Sequence, residues 1–536
     1  MNFDPLSRRY PSGRSLVYAR RGMVCTSQPL AAQAGLDILK KGGNAADAAI
    51  ATAACMTVLE PTSNGLGSDS FTILWMGGKM YGLNASGYSP EKLTAETVRE
   101  AGFDAVPQRG WMPVMVPGAV AGWKALSDRF GRLPFGEVLA PAVRYAEEGY
   151  AVSPVVSSLW RESFDIFAPR NTPEFLPWKE HFAPSGHAPA AGEIWRSPDM
   201  ARTLSLIAET GTKAFYEGEL ADRMVRFSEE TGGYFTKKDF TDYEPLWVQP
   251  VSVNYRGTDV WEMPPNGDGI IVLMALSILN HITLDKDHPE SVENVHKIIE
   301  ALKLGYSDGL RYIADPRFME VSTAGLLSDA YGKRRSSLIG EEAILPEAGD
   351  PVSSGTIYLC TADGQGNMVS HIQSNYNGFG SGIVVPGTGI SLQNRGCGFS
   401  LDPASPNVLA PKKKSFHTII PGFLTRDGEA LGPFGVMGGF MQPQGQLQVL
   451  TNLLDFGMNP QEALDRPRWQ WTGKKKVETE EVFPEELRKA LSARGHEISV
   501  NRNTSVYGRG QIILRNAEGV LCGASEPRAD GLAAGW

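Results

Sequence analysis

The sequence lacks the residue patterns that mark several common kinds of site. Its five cysteines form no CxxC pair and are odd in number, and its eight histidines show no HExxH or other metal-ligand spacing. Such a cysteine set argues against a disulfide framework, and the missing spacings argue against a metal centre. We therefore expect neither a metal nor another cofactor.

Basic patches and long apolar runs are also missing. Asp and Glu total 60 against 51 Lys and Arg, and the only basic run, at 412–414, is interpreted as a solvated loop. No stretch has the ~18 uninterrupted apolar residues of a membrane span. Residues 1–9 have no long apolar core after their arginines, which does not fit a secretory signal. We expect no nucleic-acid partner, no membrane contact and a cytoplasmic location.

Nucleotide and serine-hydrolase motifs are absent as well. Neither GxxxxGK[ST] nor GxSxG occurs, which argues against P-loop and α/β-hydrolase interpretations. Residues 65–70 (GLGSDS) half resemble a dinucleotide fingerprint. Because they follow a helical pattern rather than a strand and end in Ser, a structural glycine loop is preferred over nucleotide binding.

The first part of the chain mixes helical and strand patterns. Helices are predicted at 28–39 and at 45–59, the second capped by Asn44, and a strand is predicted at 71–76. Residues 116–310 are predicted to be mainly helical. A joint rich in Glu, Pro, Gly and Ser follows at 340–356.

Beyond this joint the apolar pattern changes to period two. The second part is predicted to hold a helix at 444–454 and strands at 356–361, 368–373, 382–385, 419–424, 432–436 and finally 511–514. Since no evident linker separates the two parts, we expect them to share one sheet system.

The joint ends in a Gly355-Thr356 step that runs straight into an apolar strand pattern. A flexible joint is a good place for a scissile bond, whereas read alone the step is an ordinary strand start. Further along, Gly438-Gly439 ends a strand with two unhindered amides. Such a pair can form an oxyanion hole, and the alternative is a plain strand-to-helix turn.

A set of short motifs spread over residues 20–536 carries a family resemblance. They are GGNAADAA at 42–49, Glu60-Pro61, VPGAVAG at 116–122, YRG at 255–257, MPP at 263–265, ADP at 314–316, GFGSG at 378–382, Asn394, Gly438-Gly439 and GASEPR at 523–528. With these motifs the chain resembles the γ-glutamyltranspeptidase family of N-terminal-nucleophile hydrolases. Within that family it looks most like the bacterial branch of glutathione-hydrolase-like and cephalosporin-acylase-like proteins.

The resemblance implies a fold and a processing step. The expected fold is α+β, an αββα sandwich of two stacked antiparallel sheets flanked by helices. The expected self-cleavage falls between Gly355 and Thr356. It would give a heavy chain of 1–355 and a light chain of 356–536 that remain together as one intertwined domain, and a homo-oligomer is left open.

The resemblance also assigns the chemistry. The family spacing counted back from Ser370 makes Thr356 the nucleophile, and Ser374 would hydrogen-bond it, with a solvent-facing strand serine as the alternative. The freed α-amine of Thr356, with a reference pKa of about 7.7–8.0, would act as general base. Gly438 and Gly439 would hold the oxyanion. The acyl group of a small-molecule amide would then pass through an acyl-Thr intermediate to water or to an amine.

The substrate pocket departs from the family pattern. No arginine occurs at 83–88, where the family holds the substrate α-carboxylate, and His417-Thr418 replace two serines. Tyr376, Arg395 and Gly398 stand where an Asn, a Gln and an Asp normally hold the α-amino group. The pocket has therefore gained a cation, Arg395, and has lost the acid that the family uses to hold the α-amino group.

We hypothesise from these changes that the acyl group bears a carboxylate and needs no α-amino group, as in glutaryl or oxalyl amides. Arg395 would bind the acid together with His417 and Thr418, because a guanidinium pairs well with a carboxylate. Tyr376 and Asn394 would complete this substrate-binding set. The alternatives are a structural ion pair for Arg395 and a packed side chain for His417.

The short segment between Phe399 and Phe416 lacks a lid that many family members carry, so we expect an open site that favours hydrolysis over transfer. Two other functions remain open at this point. One is an uncleaved, inactive scaffold that serves binding or assembly. The other is an authentic glutathione hydrolase that holds the γ-glutamyl group with different residues.

Overall fold

The structure is a computed structural model that describes residues 4, 7, 9–346 and 356–536. Gly355 and part of the predicted joint at 340–356 lie outside the described residues, and so does the predicted scissile bond. Thr356 is the first described residue of the second part.

The described residues form 21 strands and 18 α-helices. The strands are β1 Val17–Ala19, β2 Gly22–Thr26, β3 Asp69–Met76, β4 Lys79–Ala85, β5 Tyr150–Ala151, β6 Ile194–Trp195, β7 Leu246–Val248, β8 Val251–Tyr255, β9 Thr258–Glu262, β10 Ile357–Asp363, β11 Met368–Ser374, β12 Val384–Val385, β13 Ile390–Ser391, β14 Gly422–Arg426, β15 Glu429–Met437, β16 Trp469–Gly473, β17 Lys476–Thr479, β18 Glu497–Val500, β19 Arg509–Arg515, β20 Leu521–Ser525 and β21 Leu532–Gly535.

The helices alternate with these strands along the chain. They are α1 Pro29–Lys40, α2 Ala45–Leu59, α3 Ala95–Glu100, α4 Ala119–Phe130, α5 Phe135–Glu148, α6 Pro154–Phe167, α7 Leu176–Phe182, α8 Pro198–Thr210, α9 Lys213–Tyr216, α10 Glu219–Glu230, α11 Lys237–Thr241, α12 Ile270–Leu279, α13 Val292–Tyr312, α14 Thr323–Leu326, α15 Asp329–Ser336, α16 Met441–Leu454, α17 Pro460–Asp465 and α18 Glu485–Ala493. None of the helices in the described part of the chain is long and apolar enough to cross a bilayer.

Two antiparallel sheets of seven strands each organise the molecule. One has the order β1-β20-β19-β15-β14-β9-β8, and the other has the order β21-β2-β10-β11-β3-β4-β7. Their inner faces pack together, since Met437 and Ile513 of the first sheet share one buried cluster with Tyr358 and Cys360 of the second. Gly435 lies directly over the Tyr358 ring, so close that an added Cβ would meet ring carbon at 2.4 Å.

Strand β10 joins the two parts of the chain inside one sheet. It pairs with β2 on one side and with β11 on the other, with Cys360 opposite both Cys25 and Ser370. Strand β11 in turn pairs with β3. The predicted shared sheet system is therefore confirmed.

Helices cover both outer faces of the sheets. The Ala-rich helix α2 is buried along its whole length and packs with α1 against the second sheet. Asn44 caps it as predicted, in a reciprocal arrangement with Asp47. Helices α12, α13 and α16 cover the first sheet. The α+β, αββα architecture is thus confirmed.

Two secondary-structure predictions need correction. Most of residues 116–310 is helical as predicted, but the prediction did not include the hairpin that β8 and β9 form there at the edge of the first sheet. Its turn places Arg256 and Gly257 at φ 53° and 82°, values that suit a tight hairpin turn. The strand predicted at 511–514 is also not the final one, since β20 and β21 follow it.

Candidate active site

Thr356 lies at the centre of a buried hydroxyl and amide cluster. The β10–β11 register pairs Ile357 with Gln373, which sets Thr356 across from Ser374. The two hydroxyl oxygens are 3.0 Å apart, and the Nε2 amide of Gln442 donates to Thr356 Oγ1 at 3.4 Å. The structure therefore brings the predicted nucleophile and its predicted hydrogen-bonding partner together.

Ser374 is only 1% exposed, so the alternative of a solvent-facing strand serine is wrong. Its Oγ accepts the backbone N–H of Tyr376 at 2.8 Å. Its Oγ also lies at hydrogen-bond distance from Thr356 Oγ1, and either hydroxyl can donate in that pair. This geometry suits a group that stabilises negative charge on the threonine oxygen.

The Gly438-Gly439 pair lies in the turn between β15 and α16. Both residues have positive φ, 136° and 57°, where glycine is strongly favoured. Their carbonyls accept the N–H groups of Met441 and Gln442 and so start helix α16. Gln442 of this same first turn contacts Thr356, so the positive end of helix α16 lies beside the nucleophile. The oxyanion role of the two glycines stays a prediction.

Arg395 is a buried cation that has no counter-ion among the residues that the structure describes. Its Nη1 donates to Thr418 Oγ1 at 2.7 Å, and its guanidinium carbon lies 4.0 Å from the centre of the Tyr376 ring. Nε and Nη2 are buried and have no hydrogen-bond partner, and within the described ranges no carboxylate forms an ion pair with this side chain. Burial lowers the pKa of Arg395 from its ordinary value. The alternative of a structural ion pair is therefore not what the structure shows.

Tyr376 links this cation to the nucleophile. Its ring lies against Arg395, its N–H binds Ser374, and its φ of 78° is rare for a residue with a side chain. Neighbouring Phe379, also at positive φ, is held by the rings of Trp160, Trp178 and Phe182 at centroid distances of 4.5–5.5 Å. The aromatic packing fixes a backbone conformation that would otherwise be unfavourable.

Asn394 lies beside Arg395 but is already engaged at both ends of its amide. Its Oδ1 accepts the N–H of Asn377 at 3.1 Å, and its Nδ2 donates to the Gln108 carbonyl at 2.7 Å. These bonds place Asn394 in the wall that supports the 375–379 loop. Its predicted substrate contact stays a prediction.

His417 pairs with Asp69, a residue that the sequence interpretation did not single out. His417 Nε2 and Asp69 Oδ2 are 2.9 Å apart, and Nδ1 accepts the N–H of Ile419 at 3.4 Å. Nε2 therefore carries the proton and donates it to Asp69. Burial, with Arg395 and Lys414 nearby, lowers the pKa of His417 well below its ordinary range, so this ring is neutral. Burial raises the pKa of Asp69 to about 7.

Two further acids were also missed. Asp268 follows the MPP motif, and its N–H donates to the His417 carbonyl at 2.8 Å, but both of its carboxylate oxygens are buried without a partner. Burial raises the pKa of Asp268 well above its ordinary value, while Arg395 lowers it in part. Glu262 is similarly buried and unpaired. The one local feature that could have indicated Asp268 as a functional residue is its position between two glycines.

The open site expected from the short segment 399–416 is not seen at the nucleophile. Thr356 is 0% exposed, and Arg395 and Thr418 are each 1% exposed. The segment folds back on itself, with Asn407 donating to the Gly398 carbonyl. The side chains of the site are therefore buried although this segment is short.

One group in the described part of the chain has the side chains to hold a metal ion, namely His296, Glu300 and His496. The ring nitrogens His296 Nδ1 and His496 Nε2 are 2.9 Å apart, a hydrogen-bond distance. The ammonium of Lys303 lies 2.7 Å from Glu300 Oε1 and already supplies a cation. We interpret this cluster as a buried polar network that supports helix α13.

Comparisons with known proteins were made on the whole chain. A family model described as Gamma-glutamyltranspeptidase matches residues 31–536. The chain is 38% identical to the glutathione hydrolase-like YwrD proenzyme of Bacillus subtilis, covering 97% of this chain and 99% of the other. It is 33% identical to the oxamate amidohydrolase proenzyme of Klebsiella pneumoniae, with 96% and 98% covered.

A solved structure is also similar over the full length. It is the crystal structure of a cephalosporin acylase from Bacillus halodurans, with 54% identity, a TM-score of 0.95 and coverage of 100% of this chain and 99% of that one.

Proposed function

The chain belongs to the gamma-glutamyltranspeptidase family, and from this premise we propose that it is a self-processing threonine amidohydrolase for acyl groups that bear a carboxylate. The family and the enzyme class predicted from the sequence are both confirmed. The observation that carries the proposal is one continuous chain of contacts. It runs from Thr356 Oγ1 to Ser374 Oγ, on to the Tyr376 N–H, and from the Tyr376 ring to the unpaired guanidinium of Arg395.

The proposed maturation uses the Thr356 hydroxyl on the preceding peptide bond. Oγ1 attacks the Gly355 carbonyl, the C–N bond breaks, and the acyl group moves from the Thr356 nitrogen to its oxygen. Water then cleaves the ester, which leaves residues 1–355 with a new carboxylate and residues 356–536 with a new α-amine. The names of the relatives in Bacillus subtilis and Klebsiella pneumoniae, both proenzymes, support this step.

The same oxygen would then act on substrates. The new α-amine, with a reference pKa of about 7.7–8.0, takes the Thr356 hydroxyl proton as Oγ1 attacks the amide carbonyl. The N–H groups of Gly438 and Gly439 would stabilise the oxyanion, and Ser374 would donate to Oγ1 when it leaves. The departing amine takes the proton from the α-amine. Water, or another amine, then releases the acyl group from Thr356.

Arg395 would choose the acyl group. Its free Nε and Nη2 are adjacent on one edge of the guanidinium, which is the edge that binds a carboxylate through two parallel hydrogen bonds. Thr418 holds Nη1 and so fixes the direction of that edge. His417 is neutral and donates to Asp69, so its part in the pocket is to hold Asp69 rather than to add positive charge.

A pair of substrates tests this proposal. Glutaryl-p-nitroanilide carries the carboxylate, and pentanoyl-p-nitroanilide has the same chain length without it. We expect purified protein to hydrolyse the glutaryl compound about 30–150-fold faster in kcat/KM, because a charge-assisted bidentate contact contributes about 2–3 kcal/mol. Equal rates would contradict the carboxylate pocket. A single uncut band on a denaturing gel, with no hydrolysis, would instead support the inactive scaffold.

A second candidate function is hydrolysis of γ-glutamyl amides, and Asp268 favours it. Arg395 lowers the pKa of this carboxylate in part, yet the two side chains lie beyond ion-pair distance. Asp268 could therefore bind the ammonium and Arg395 the carboxylate of one α-amino acid group. The test adds γ-glutamyl-p-nitroanilide to the pair above. A preference for γ-glutamyl over glutaryl that Asp268→Asn abolishes would support this candidate. A preference for glutaryl would support the leading one.

A further inference from the structure

A cavity of about 230 Å³ opens at the Gly438 turn, and neither Arg395 nor Tyr376 is among the residues that line it. Its wall includes Gly438, Gly378, Ser63 and residues of helix α6 and of the 503–509 segment. At ~30 Å³ per water molecule, this volume equals roughly seven or eight waters, which suits a small organic amine. The acyl pocket described above does not use this space.

The 375–379 loop separates the cavity from the acyl pocket. The N–H groups of Asn375 and Phe379 donate to the Ser63 and Thr62 carbonyls at 3.1 and 3.0 Å, and Ser63, Thr62 and Gly378 line the cavity. Tyr376 in the same loop turns its ring to Arg395 instead. An amide substrate extends in two directions from its scissile carbon, so a site that takes the acyl part on one side of this loop leaves the other side for the amine.

The charges in the cavity are mainly positive. Arg109 is half-buried, and its Nη1 donates to the Gly380 carbonyl at 2.5 Å, but no described carboxylate lies within ion-pair distance of it. Burial lowers the pKa of Arg109 to about 10, which leaves it charged at neutral pH. Arg509 faces Glu60 at 3.7 Å, and burial raises the pKa of that acid. The acid at the rim is Glu162, which is exposed.

We propose that this cavity binds the leaving amine of the substrate, and that Arg109 and Arg509 select amines that carry a carboxylate. This inference rests on the proposed amidohydrolase function. It concerns the leaving amine of the substrate, whereas Arg395 is proposed to bind the acyl group. Arg109 is the main selecting residue because, in the described part of the chain, its guanidinium contacts the Gly380 carbonyl and the Phe167 ring but pairs with no carboxylate. Arg509 already faces Glu60 at 3.7 Å and contributes less.

Two substrates with one acyl group test the inference. Glutaryl-anilide and glutaryl-4-carboxyanilide release aniline and 4-aminobenzoate, which are amines of similar basicity. We expect wild-type kcat/KM to be roughly 10-fold or more higher for the carboxyanilide, because one partly buried ion pair has an effect of about this size. Arg109→Gln should reduce this ratio to between one- and threefold. A wild-type ratio near one, or a ratio that Arg109→Gln leaves unchanged, would overturn the inference.

Matched variants separate a local contact from general charge effects. Arg161→Gln removes the same charge from the exposed face of α6 outside the cavity and should keep the wild-type ratio. Glu162→Gln removes the acid at the rim and should raise the ratio by about twofold, since surface charges are screened. Arg109→Lys keeps a cation and should retain part of the preference.

Product inhibition gives a second readout that does not depend on comparing the hydrolysis rates of the two anilides. Free 4-aminobenzoate should inhibit wild-type protein more strongly than aniline, and Arg109→Gln should remove the difference. If both anilides are hydrolysed with no carboxylate preference, the cavity inference fails and the amidohydrolase proposal stands. If wild-type protein hydrolyses neither, the amidohydrolase proposal itself fails and the inference fails with it.

Discussion

The surroundings of Thr356 and the acyl pocket beside them satisfy their polar groups in opposite ways. Thr356, Ser374 and Gln442 are uncharged and hydrogen-bonded to one another or to backbone. Arg395 and Asp268, in contrast, are buried ionisable side chains with nitrogens and oxygens that have no partner among the described residues. A buried unpaired polar group costs about 1–3 kcal/mol and a charged one more. The nucleophile is therefore complete without a ligand, whereas the pocket is arranged for one.

The largest effect expected from this comparison follows removal of the nucleophile. Thr356→Ala should leave the chain uncut and reduce hydrolysis by about 10⁴-fold or more, because the attacking oxygen is gone. A denaturing gel and a p-nitroanilide assay measure both results. Thr356→Ser, which keeps the hydroxyl, should still be cut. Wild-type-like processing of the alanine variant would mean that another residue attacks.

The next largest effect should follow loss of the pocket cation. Arg395→Met should lower kcat/KM for glutaryl-p-nitroanilide by about 10²–10³-fold, mainly through KM, and leave the neutral pentanoyl compound little affected. Because the lost charge has unpaired nitrogens, the thermal midpoint should rise or stay constant rather than fall. A large fall in the midpoint would show that Arg395 is structural, and the comparison would then be wrong.

A smaller effect is expected at the hydroxyl that faces Thr356. Ser374→Ala should lower kcat by about 10–100-fold with little change in KM, since one hydrogen bond to the reacting oxygen is lost. Ser374→Thr restores a hydroxyl and serves as the control. Steady-state kinetics of the two variants settle the point. A change in KM alone would place Ser374 in substrate binding instead.

The smallest expected effect concerns stability rather than rate. The folded-state pKa of Asp268 is raised by burial, so the folded protein holds its proton more tightly than the unfolded chain does. The stability that this tighter proton binding contributes is fully present below the ordinary Asp pKa of 3.8. It is lost as the pH rises through the folded-state pKa. Asp268→Asn should therefore stabilise the protein by about 1–3 kcal/mol at neutral pH and not at low pH.

Urea unfolding at several pH values measures this difference. Glu262→Gln is the matched control, because Glu262 is a second buried acid of the same region whose pKa is also raised. Its variant should change stability without altering the choice between glutaryl and γ-glutamyl substrates. A destabilised Asp268→Asn at neutral pH would show that Asp268 already has a partner, and the pocket would not need a ligand to complete it.

Local pattern was sufficient to predict much of the nucleophile region. The period-two runs on either side of residues 363–367 predict the β10–β11 hairpin, and the pairing of that hairpin alone brings Ser374 to Thr356. The Asn44 cap and the Ala-rich helix after it follow in the same way from neighbouring residues. These features depend on contacts between segments that are close in sequence or in one hairpin.

The pocket could not be predicted to the same degree, because its contacts join distant segments. His417 was assigned to the substrate carboxylate, but Asp69, 348 positions away, accepts the hydrogen bond from its Nε2–H. Asp268 reaches the pocket through the backbone pairing of Gly267 with His417. The β8–β9 hairpin was missed although its alternation and Arg256-Gly257 turn are visible locally, because the surrounding helical patterns dominated the interpretation.

Mass spectrometry of purified protein before and after brief reaction with glutaryl-p-nitroanilide tests the role of Thr356 most directly. We expect two chains, the smaller one beginning at Thr356. We also expect that quenching in acid traps a glutaryl group on the peptide that contains Thr356. An intact single chain that still hydrolyses the substrate, or a glutaryl group on any other residue, would contradict this role.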